Sequence, residues 1–386
     1  MLVNYIRLQV PPMLLVARKN LLTERTRLAI SVGGVALSVF LIGILLSLYR
    51  GWGEKVGEYV EGVPADLWVT SDGATDFIYA ASVLPAGGDS LLRFLPEIDT
   101  VSPLIVRPVE MTRAGDPESE FDIQLVGYDP EIGLGGPLAA VEGKSPPGPG
   151  EVIIDSETSE RYGVDIGDRL VRGTGSLSVV GKTSGGDFVF TQVAFVSLKT
   201  AEDFLELEAE NQRTFFLVTL EDPTQAEALA KRLEAAAPGV VFLSGEEFAD
   251  KTRERILGNI LPMLVVIIVV AFVVGLSVAG LTIYTATVEK SREYGILKAE
   301  GFTNQFLYRV VLEQSLVTSV LGFILGAGAT VIIAPFAHNL VPQFVVWVRW
   351  QDLLLVTGAT LLMALIAAFV PIRRLAEIDP VTVFKG

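Results

Sequence analysis

The chain has 386 residues, half of them hydrophobic, a formal net charge of −15 and no cysteine. A composition this apolar excludes an ordinary soluble domain, and the lack of cysteine excludes disulfides and thiol-ligated metals. Spanning a bilayer takes about 20 consecutive apolar residues. Four stretches are long enough for this: 28–49, a window within 256–288, 314–337 and 353–372. We therefore predict an α-helical membrane protein with four transmembrane helices.

The charges are distributed unevenly along the chain. Residues 50–258 hold 17 Lys and Arg against 37 Asp and Glu, a net charge of −20. The basic residues elsewhere, apart from Arg349 between spans three and four, precede the first span, lie between spans two and three, or follow the last span: Arg7, Arg18, Lys19, Arg25 and Arg27; Lys290, Arg292, Lys298 and Arg309; Arg373, Arg374 and Lys385. Because Lys and Arg are enriched in cytoplasmic loops, both termini and the central turn are predicted to be cytoplasmic and the acidic segment extracytoplasmic.

The predicted organisation is one span, a large insertion, and then three spans, a 1+3 arrangement. The first apolar run is longer than the hydrophobic region of a signal peptide, so we expect it to be a retained anchor. Residues 13–27 alternate apolar and basic faces and predict an amphipathic helix on the membrane surface. The predicted boundaries are 1–27 for this amphipathic helix, 28–50 for span one, 51–243 for the extracytoplasmic domain, 244–288 for a stalk helix with span two, 289–303 for a short cytoplasmic helix, 304–337 for span three, 338–352 for an outer loop, 353–372 for span four and 373–386 for the tail.

Small residues recur at helical spacing within the predicted spans, a pattern that lets helix backbones approach closely in lipid. Span three includes a G-x-x-x-G match at Gly322 and Gly326. Packing within one subunit and packing between two subunits both fit this pattern. The candidate helix-packing residues are Gly34, Ser38, Ala271, Gly275, Ala279, Thr318, Gly322 and Gly326.

The acidic segment is predicted to be α/β. Strand-like stretches are 65–70, 122–127, 151–154, 176–181, 193–196 and 214–220, and helical patterns occur at 155–162, 200–208 and 224–237. A Pro- and Gly-rich loop at 146–150 is expected to separate two subregions. Ser244 and Glu247 form a capping-box pattern, after which a continuous helix of some 45 residues is expected to join this domain to the membrane as a stalk.

Residues with catalytic potential do not form a recognisable constellation. Lys144 and Lys182 each follow a glycine, as in a phosphate-binding loop, but Leu138 and Ser176 occupy the positions where that motif needs its first glycine. The single histidine, His338, has no second histidine with which to bind a metal. Glu313 lies close to the inner end of a span, where a carboxylate reaches the interface or relays protons. We therefore predict a chain that is not an enzyme and binds no cofactor or metal.

The central turn resembles the E-R-x-R-E-I-G-I-L-R-A-L-G signature of FtsX-like permeases, the MacB/LolC class of type VII ABC transporters. The match keeps Glu289, Arg292, Glu293, Gly295, Ile296, Leu297, Ala299 and Gly301, has Lys298 in place of Arg, and departs at Tyr294 and Glu300. Further similarity is carried by ARKNLL at 17–22, by residues 151–181, which resemble the MacB-like core domain, and by PIRRLAEIDPVTV at 371–383.

The resemblance implies a permease subunit that pairs with a second permease subunit, as a homo- or heterodimer, and docks a separate cytoplasmic ATPase through the helix between spans two and three. ATP and Mg would belong to that ATPase. Motion would pass up the stalk to the extracytoplasmic domain, a process called mechanotransmission. The implied coupling residues are Glu289, Arg292, Glu293, Tyr294, Gly295, Ile296, Leu297, Lys298 and Gly301.

Two function classes remain open at this point. One is export or extraction of a lipid, lipoprotein, peptide or drug-like molecule across a bacterial inner membrane, with or without a periplasmic adaptor. The other is a non-transporting regulatory or signalling permease that controls an extracytoplasmic hydrolase or sensor. The large insertion resembles the export branch more closely, and no partner other than proteins and membrane lipids is implied, so nucleic acid is excluded.

Overall fold

The computed structural model describes residues 25–74, 76–79, 82–85, 87–184, 191–207, 212–340 and 344–376. The chain divides into two compact units, a bundle unit (Met1–Arg50 and Leu261–Gly386) and an α/β unit (Gly51–Ile260). In the described part the α-helices are α1 (Arg25–Gly62), α2 (Gly88–Arg93), α3 (Ser156–Tyr162), α4 (Leu198–Phe204), α5 (Ala226–Ala236), α6 (Gly245–Glu289), α7 (Ser291–Ala299), α8 (Asn304–Leu340) and α9 (Trp350–Ala376).

The bundle unit is built from the apolar parts of α1, α6, α8 and α9, each of which is long and apolar enough to cross a membrane. Its core is formed by buried apolar side chains, among them Val35, Ala271 and Met363. Large apolar side chains such as Ile324 and Ile332 point outward and are 59% and 65% exposed. Outward-facing apolar side chains on all sides of a helical bundle are what a lipid environment requires.

The α/β unit is organised around one mixed sheet. Its strands are β1 (Leu67–Ser71), β2 (Leu84–Pro85), β3 (Ile98–Arg113), β4 (Asp116–Tyr128), β5 (Glu142–Gly143), β6 (Glu151–Asp155), β7 (Arg169–Arg172), β8 (Gly175–Thr183), β9 (Gln192–Ser197), β10 (Gln212–Arg213), β11 (Phe215–Leu220) and β12 (Val240–Leu243). The order in the sheet is β12-β1-β11-β3-β4-β9-β6-β8-β5, with β7 pairing β3 and β8, while β2 and β10 form a separate pair. The β4–β9 and β6–β8 pairs are parallel and the others antiparallel.

An aromatic core holds the helix ends of this unit to its sheet. Tyr59, near the end of α1, lies 5.0 Å from Phe77 between ring centroids. Phe248, in the first turn of α6, lies 5.2 Å from Trp68 and 5.3 Å from Phe215. All five side chains are buried. Aromatic pairs at such distances contribute packing energy beyond their buried area, so both helices are anchored in the same core.

Much of the predicted secondary structure is found, and the differences have local causes. Strand β3 escaped prediction because Pro103 and Pro108 interrupt its pattern, and proline is uncommon inside sheets. Helix α1 continues to Gly62, well past the predicted end of span one, although Gly51, Gly53 and Gly57 lie in this extension. The amphipathic segment before residue 25 and the tail after residue 376 lie outside the described residues.

The expectation that the loop at 146–150 separates two subregions was wrong. Strand β5 precedes this loop and strand β6 follows it, and both pair with β8. The loop therefore lies within one part of the sheet. Proline and glycine density identified a loop correctly but carried no information on which strands it connects.

Candidate functional site: the turn between α6 and α8

The turn is a short helix, α7, with a well-formed C-terminal stop. The backbone N–H of Gly301 donates to the carbonyl of Lys298 at 3.1 Å, and that of Phe302 donates to the carbonyl of Leu297 at 3.1 Å. Gly301 has φ +95°, the left-handed conformation in which glycine avoids a steric penalty. These two bonds are those of a Schellman motif, so the chain reverses sharply between α7 and α8.

One side of α7 is fastened to the bundle. Tyr294 is only 3% exposed and belongs to the core of the bundle. The Nζ of Lys298 donates to the carbonyl oxygen of Leu375 at 2.6 Å. That carbonyl lies in the last turn of α9, where a cation is favoured by the helix dipole. Partial burial lowers the pKa of the Lys298 ammonium. The short helix is therefore attached to the end of α9.

A second attachment joins the ends of α1 and α6. Arg27 donates from its NH2 group to both carboxylate oxygens of Glu289, at 2.9 and 2.8 Å. Glu289 is the last residue of α6, where the dipole alone would disfavour an acid. The guanidinium of Arg27 offsets this effect. The pair is part-exposed, so we assign it a positioning role rather than a large contribution to stability.

The residues that α7 leaves exposed form a surface with apolar and charged parts. Ile296 is 40% exposed and Phe302, just after the helix, is 43% exposed. Arg292, Glu293 and Glu300 are also exposed. Phe302 packs on Phe306 with ring centroids 4.8 Å apart. We call these five residues, Arg292, Glu293, Ile296, Glu300 and Phe302, the α7 outer face.

The larger apolar side chains of α7, Tyr294, Ile296 and Leu297, are divided between two sides of the helix. Tyr294 and Gly295 are buried, and Leu297 is half-buried against the bundle core. Of these three side chains, Ile296 alone faces outward. Phe302 was missed by sequence reasoning, although an aromatic residue directly after a capping glycine is a usable signal, since the residue at this position commonly makes a hydrophobic contact.

The small residues of the spans lie where helices of the same chain approach. Gly34 of α1 faces Val278 of α6, and a Cβ on Gly275 would lie 2.5 Å from the Oγ of Ser38. A Cβ on Gly322 would meet Val35, and one on Gly326 would meet the carbonyl oxygen of Ala36. The remaining predicted members, Ala271, Ala279 and Thr318, are buried. Within the bundle unit, these residues therefore allow α1 to pack closely against α6 and α8.

The α/β unit contains a polar connection between its two long helices. Arg253 of α6 donates to the carbonyl oxygen of Gly53 in α1 at 2.8 Å and pairs with Glu61 at 2.7 Å. It also pairs with Asp250 at 2.9 Å. The hydrogen bond to Glu61 raises the pKa of the Arg253 guanidinium. A Cβ on Gly57 would collide with this guanidinium, so a larger residue there would displace the Arg253 side chain.

The two lysines that follow glycine are engaged in ion pairs of the sheet. Lys144 pairs with Glu151, and Lys182 in β8 pairs with Asp165 at 2.7 Å. Neither lysine stands at the start of a helix, as a phosphate-binding loop would require. Across the residues that the structure describes, no group of three or more potential metal ligands is found. The side chain of His338 lies outside the described part.

Comparison with known proteins gives two family matches that together cover most of the chain. The family model of the MacB-like periplasmic core domain matches residues 28–236, and that of the FtsX-like permease C-terminal region matches residues 263–380. An uncharacterized ABC transporter permease of Mycobacterium bovis is 22% identical over 375 residues, which are 97% of this chain and 100% of the relative.

A second relative is an uncharacterized ABC transporter permease of Methanocaldococcus jannaschii, 23% identical over 245 residues, 61% of this chain and 59% of the relative. Among solved structures, the periplasmic region of MacB from Actinobacillus actinomycetemcomitans is 12% identical, with a TM-score of 0.36 over 48% of this chain and 92% of that one.

The four apolar helices and the family matches define a multi-pass membrane protein of the permease class. The chain belongs to the FtsX-like permeases with a MacB-like periplasmic core domain, and is thus the permease subunit of an ABC transporter. Membership of this class implies an ATPase partner. The resemblance seen in the motif around Gly295 and Gly301 is confirmed at the level of the family.

Proposed function

We propose that this permease couples ATP hydrolysis by a separate cytoplasmic ATPase to movements of its extracytoplasmic domain. These movements drive export or extraction of a lipid, lipoprotein, peptide or drug-like molecule. In this proposal residues 293–301 couple to the ATPase, residues 244–288 transmit force, and the α/β unit contacts substrate or adaptor. The observation that carries the proposal is the α7 outer face, an exposed surface on a helix that directly follows α6 and is fastened to the end of α9.

The proposed topology is that of a bacterial inner-membrane protein with one span, the extracytoplasmic α/β unit, and three further spans. Both termini and α7 lie in the cytoplasm. Support comes from the basic residues in and around α7, namely Lys290, Arg292, Lys298 and Arg309, and from the acidic excess of residues 50–258. Trp347 and Trp350 at the opposite end of the bundle are 53% and 68% exposed, as expected for anchors at a membrane interface.

The α7 outer face has the properties of a small protein-docking surface. An apolar centre of Ile296 and Phe302 is accompanied by charged side chains of both signs, a composition typical of an interface core with a polar rim. A helix that presents such a face can be received by a groove on a partner. Tyr294 and Lys298 fasten the other side of α7 to the bundle. Because of these contacts, a displacement of α7 by a partner would also move the bundle helices.

Force transmission is assigned to α6 because it is one helix from Gly245 to Glu289, 45 residues including Pro262. At about 1.5 Å per residue it is roughly 68 Å long. Its first turn carries Phe248 in the aromatic core, and Arg253 connects it to α1. A continuous helix with an anchored start and a fastened end is suited to pass movement along its length.

The proposed assembly contains two permease subunits, as a homo- or heterodimer, and a cytoplasmic ATPase that holds the ATP and Mg. A periplasmic adaptor is a further candidate partner. This chain itself is proposed to bind no cofactor.

The coupling surface is tested by Ile296→Asp and Phe302→Asp in the complex of permease and ATPase. Each change places a charge at the apolar centre of the α7 outer face, so we expect loss of ATPase co-purification and at least a tenfold fall in permease-stimulated hydrolysis, the effect of about 1.4 kcal/mol or more at one interface residue. Ile166→Asp is the control, since Ile166 is also 40% exposed but lies in the α/β unit. Unchanged co-purification and hydrolysis in both α7 variants would refute the coupling role.

A further inference from the structure

Two arginines of the α/β unit lie on the face of its sheet that α4 covers. Arg213, in β10, pairs with Glu202 of α4, with Nη2 and Oε1 2.7 Å apart. Arg107, in β3, alternates with Ile105 and Val109, whose side chains belong to the core beneath α4. Because alternate side chains of a strand point to one face of the sheet, Arg107 lies on the α4 side as well. We call Arg107, Glu202 and Arg213 the arginine cluster.

The two arginines are held by neighbouring stretches of backbone. Arg107 donates from Nη1 to the Oγ1 of Thr214 at 3.0 Å, and Thr214 directly follows Arg213. The Nη2 of Arg107 lies 3.5 Å from the carbonyl oxygen of Ser82. Shortly after Ser82, Leu84 pairs with Arg213 between β2 and β10. Strand β10 also lies against β3, so the two arginine side chains are neighbours on this face.

Arg213 is buried with donors that have no acceptor. The residue is 9% exposed, and within the part of the chain that the structure describes its Nε and Nη1 have no hydrogen-bond partner. Arginine is almost never fully buried unless it is paired, and an unsatisfied donor costs more on a charged group than on a neutral one. The unused donors of Arg213 therefore point to an acceptor that binds beside them.

Arg107 adds a second positive charge. Among the described residues it forms no ion pair, and its hydrogen bonds go to neutral oxygens of Val106, Thr214 and Ser82. Burial lowers the pKa of the Arg107 guanidinium, whereas a carboxylate partner raises the pKa of Arg253. The arginine cluster thus has two cations and one carboxylate, which leaves an excess of one positive charge inside the acidic segment of the chain.

A carboxylate has the charge and the shape that this cluster requires. Its single negative charge balances the excess positive charge, and a guanidinium can bind a carboxylate through two parallel hydrogen bonds. The unused donors of Arg213 are closely surrounded by protein atoms, so a small planar group fits beside them better than a tetrahedral phosphate. The side chain of Glu202 is 28% exposed, and a ligand can therefore approach the cluster from the Glu202 side.

We propose that the arginine cluster binds a carboxylate group from outside this chain, carried either by a free small carboxylic acid or by the C-terminus of a peptide. The bound carboxylate accepts hydrogen bonds from both guanidiniums and so connects β3 and β10 beneath α4. This binding site lies in the α/β unit, and the proposal does not depend on the coupling role of α7.

The proposal is tested on the full-length protein in detergent, at constant ionic strength in chloride buffer. The probes are sodium acetate and N-acetylated trialanine with a free or an amidated C-terminus, with inorganic phosphate as the comparison anion. Isothermal titration calorimetry measures binding. The test variants are Arg213→Gln and Arg107→Gln, each of which removes one cation of the cluster. The control is Arg172→Gln, which removes an exposed arginine of the same unit, in β7.

We expect a carboxylate probe to bind to wild type and to Arg172→Gln, and to bind at least tenfold more weakly to each test variant, the equivalent of about 1.4 kcal/mol. Binding of acetate identifies a free carboxylic acid as a ligand. Binding of the acid peptide, without binding of acetate or of the amide, identifies a peptide C-terminus. Absence of binding by both acetate and the acid peptide overturns the proposal, as does a preference for phosphate over acetate.

A conservative variant guards against misfolding of Arg213→Gln. Arg213→Lys keeps a cation for Glu202 but lacks the planar guanidinium. It is expected to keep the thermal midpoint of wild type in chloride buffer and to lose affinity for the carboxylate probe. Wild-type affinity in both Arg213→Lys and Arg107→Gln would refute a carboxylate site at these arginines.

Discussion

At the scale of single residues, Gly326 of α8 lies directly against the backbone of α1. A Cβ at this position would collide with the backbone carbonyl oxygen of Ala36 and with Val39. Backbone atoms cannot rotate away as a flexible side chain can, so the helices themselves would have to separate. Two residues further along α8, a Cβ on Gly328 would meet nothing within 4 Å.

These two glycines give a matched pair of substitutions. Gly326→Ala is expected to lower the stability of the bundle by about 1–3 kcal/mol, the usual cost of overpacking. Gly328→Ala should be neutral or slightly stabilising, because alanine is a better helix former than glycine by up to about 1 kcal/mol. Thermal midpoints of the two variants in the same detergent measure the difference. Equal midpoints would show that α1 and α8 are not in close contact at Gly326.

Another residue-scale feature is a pair of acids on the β3–β4 hairpin. Glu110 of β3 and Glu120 of β4 share a hydrogen bond, and that bond together with the repulsion between them raises the pKa of Glu110. Glu110 also stands directly opposite Asp122 in the register of the two strands. Like charges opposite each other in a sheet are unfavourable. Protonation of Glu110 therefore reduces the repulsion between the two strands of this hairpin.

The sign of the pH effect follows from the raised pKa. A carboxyl whose pKa is higher in the folded state favours folding when it is protonated, and this contribution is lost as the pH rises through the folded-state pKa. On lowering the pH from 7.5 toward 5, the thermal midpoint of wild type should therefore improve relative to that of Glu120→Gln. A difference between the two proteins that does not vary with pH would contradict this expectation. Comparing the pair removes the opposing effects of Glu97, Glu151 and Asp165, whose pKa values are lowered by their basic partners.

At the scale of elements, the sequence motif predicted the position of α7 but not which of its sides faces the bundle. The sequence predicted a short helix at 289–303 and the span that follows it. It could not assign the sides of α7, because a helix between two spans has apolar residues both for its own bundle and for a partner. The structure separates them: Tyr294 and Leu297 serve the bundle, while Ile296 and Phe302 face outward.

The connection of α6 to α1 by Arg253 is testable by itself. Arg253→Gln removes the ion pair with Glu61 and the guanidinium donor to Gly53, so we expect a loss of about 1–2 kcal/mol in the stability of the α/β unit, within the range for hydrogen bonds of a part-exposed charge. Arg255→Gln, an exposed position two residues further along α6, is the control. Calorimetry or denaturant titration of the full chain measures both. Equal stabilities would assign Arg253 no role in joining the helices.

At the scale of the whole molecule, the proposed topology can be mapped without background labelling because the chain has no native cysteine. Glu300→Cys places a thiol on the α7 outer face, and Leu91→Cys places one on the α/β unit at a side chain that is 74% exposed. With a membrane-impermeant maleimide applied from the extracytoplasmic side, we expect Leu91→Cys to react at once and Glu300→Cys only after permeabilisation. The reverse pattern would invert the topology.

The long helices of the molecule were predictable from local sequence patterns, whereas the order of strands in its sheet was not. Four apolar runs and the capping pattern at Ser244 were sufficient to predict the long helices, because helix formation in an apolar run depends on neighbouring residues alone. The order of strands in the sheet was not predictable in this way. Pairings such as Phe216 with Pro103 join residues more than 100 positions apart, and no periodicity records them.

The charged residues of the α7 outer face bear on a different question, that of which ATPase this permease accepts. Apolar contacts by Ile296 and Phe302 discriminate weakly between related ATPases. A like charge placed opposite Arg292, Glu293 or Glu300, by contrast, strongly disfavours binding of the wrong ATPase. Under the coupling proposal, Arg292, Glu293 and Glu300 disfavour any ATPase whose facing charges do not complement theirs. Glu300, which replaces the usual apolar residue of the family motif, is the position through which such exclusivity would be gained or exchanged during evolution.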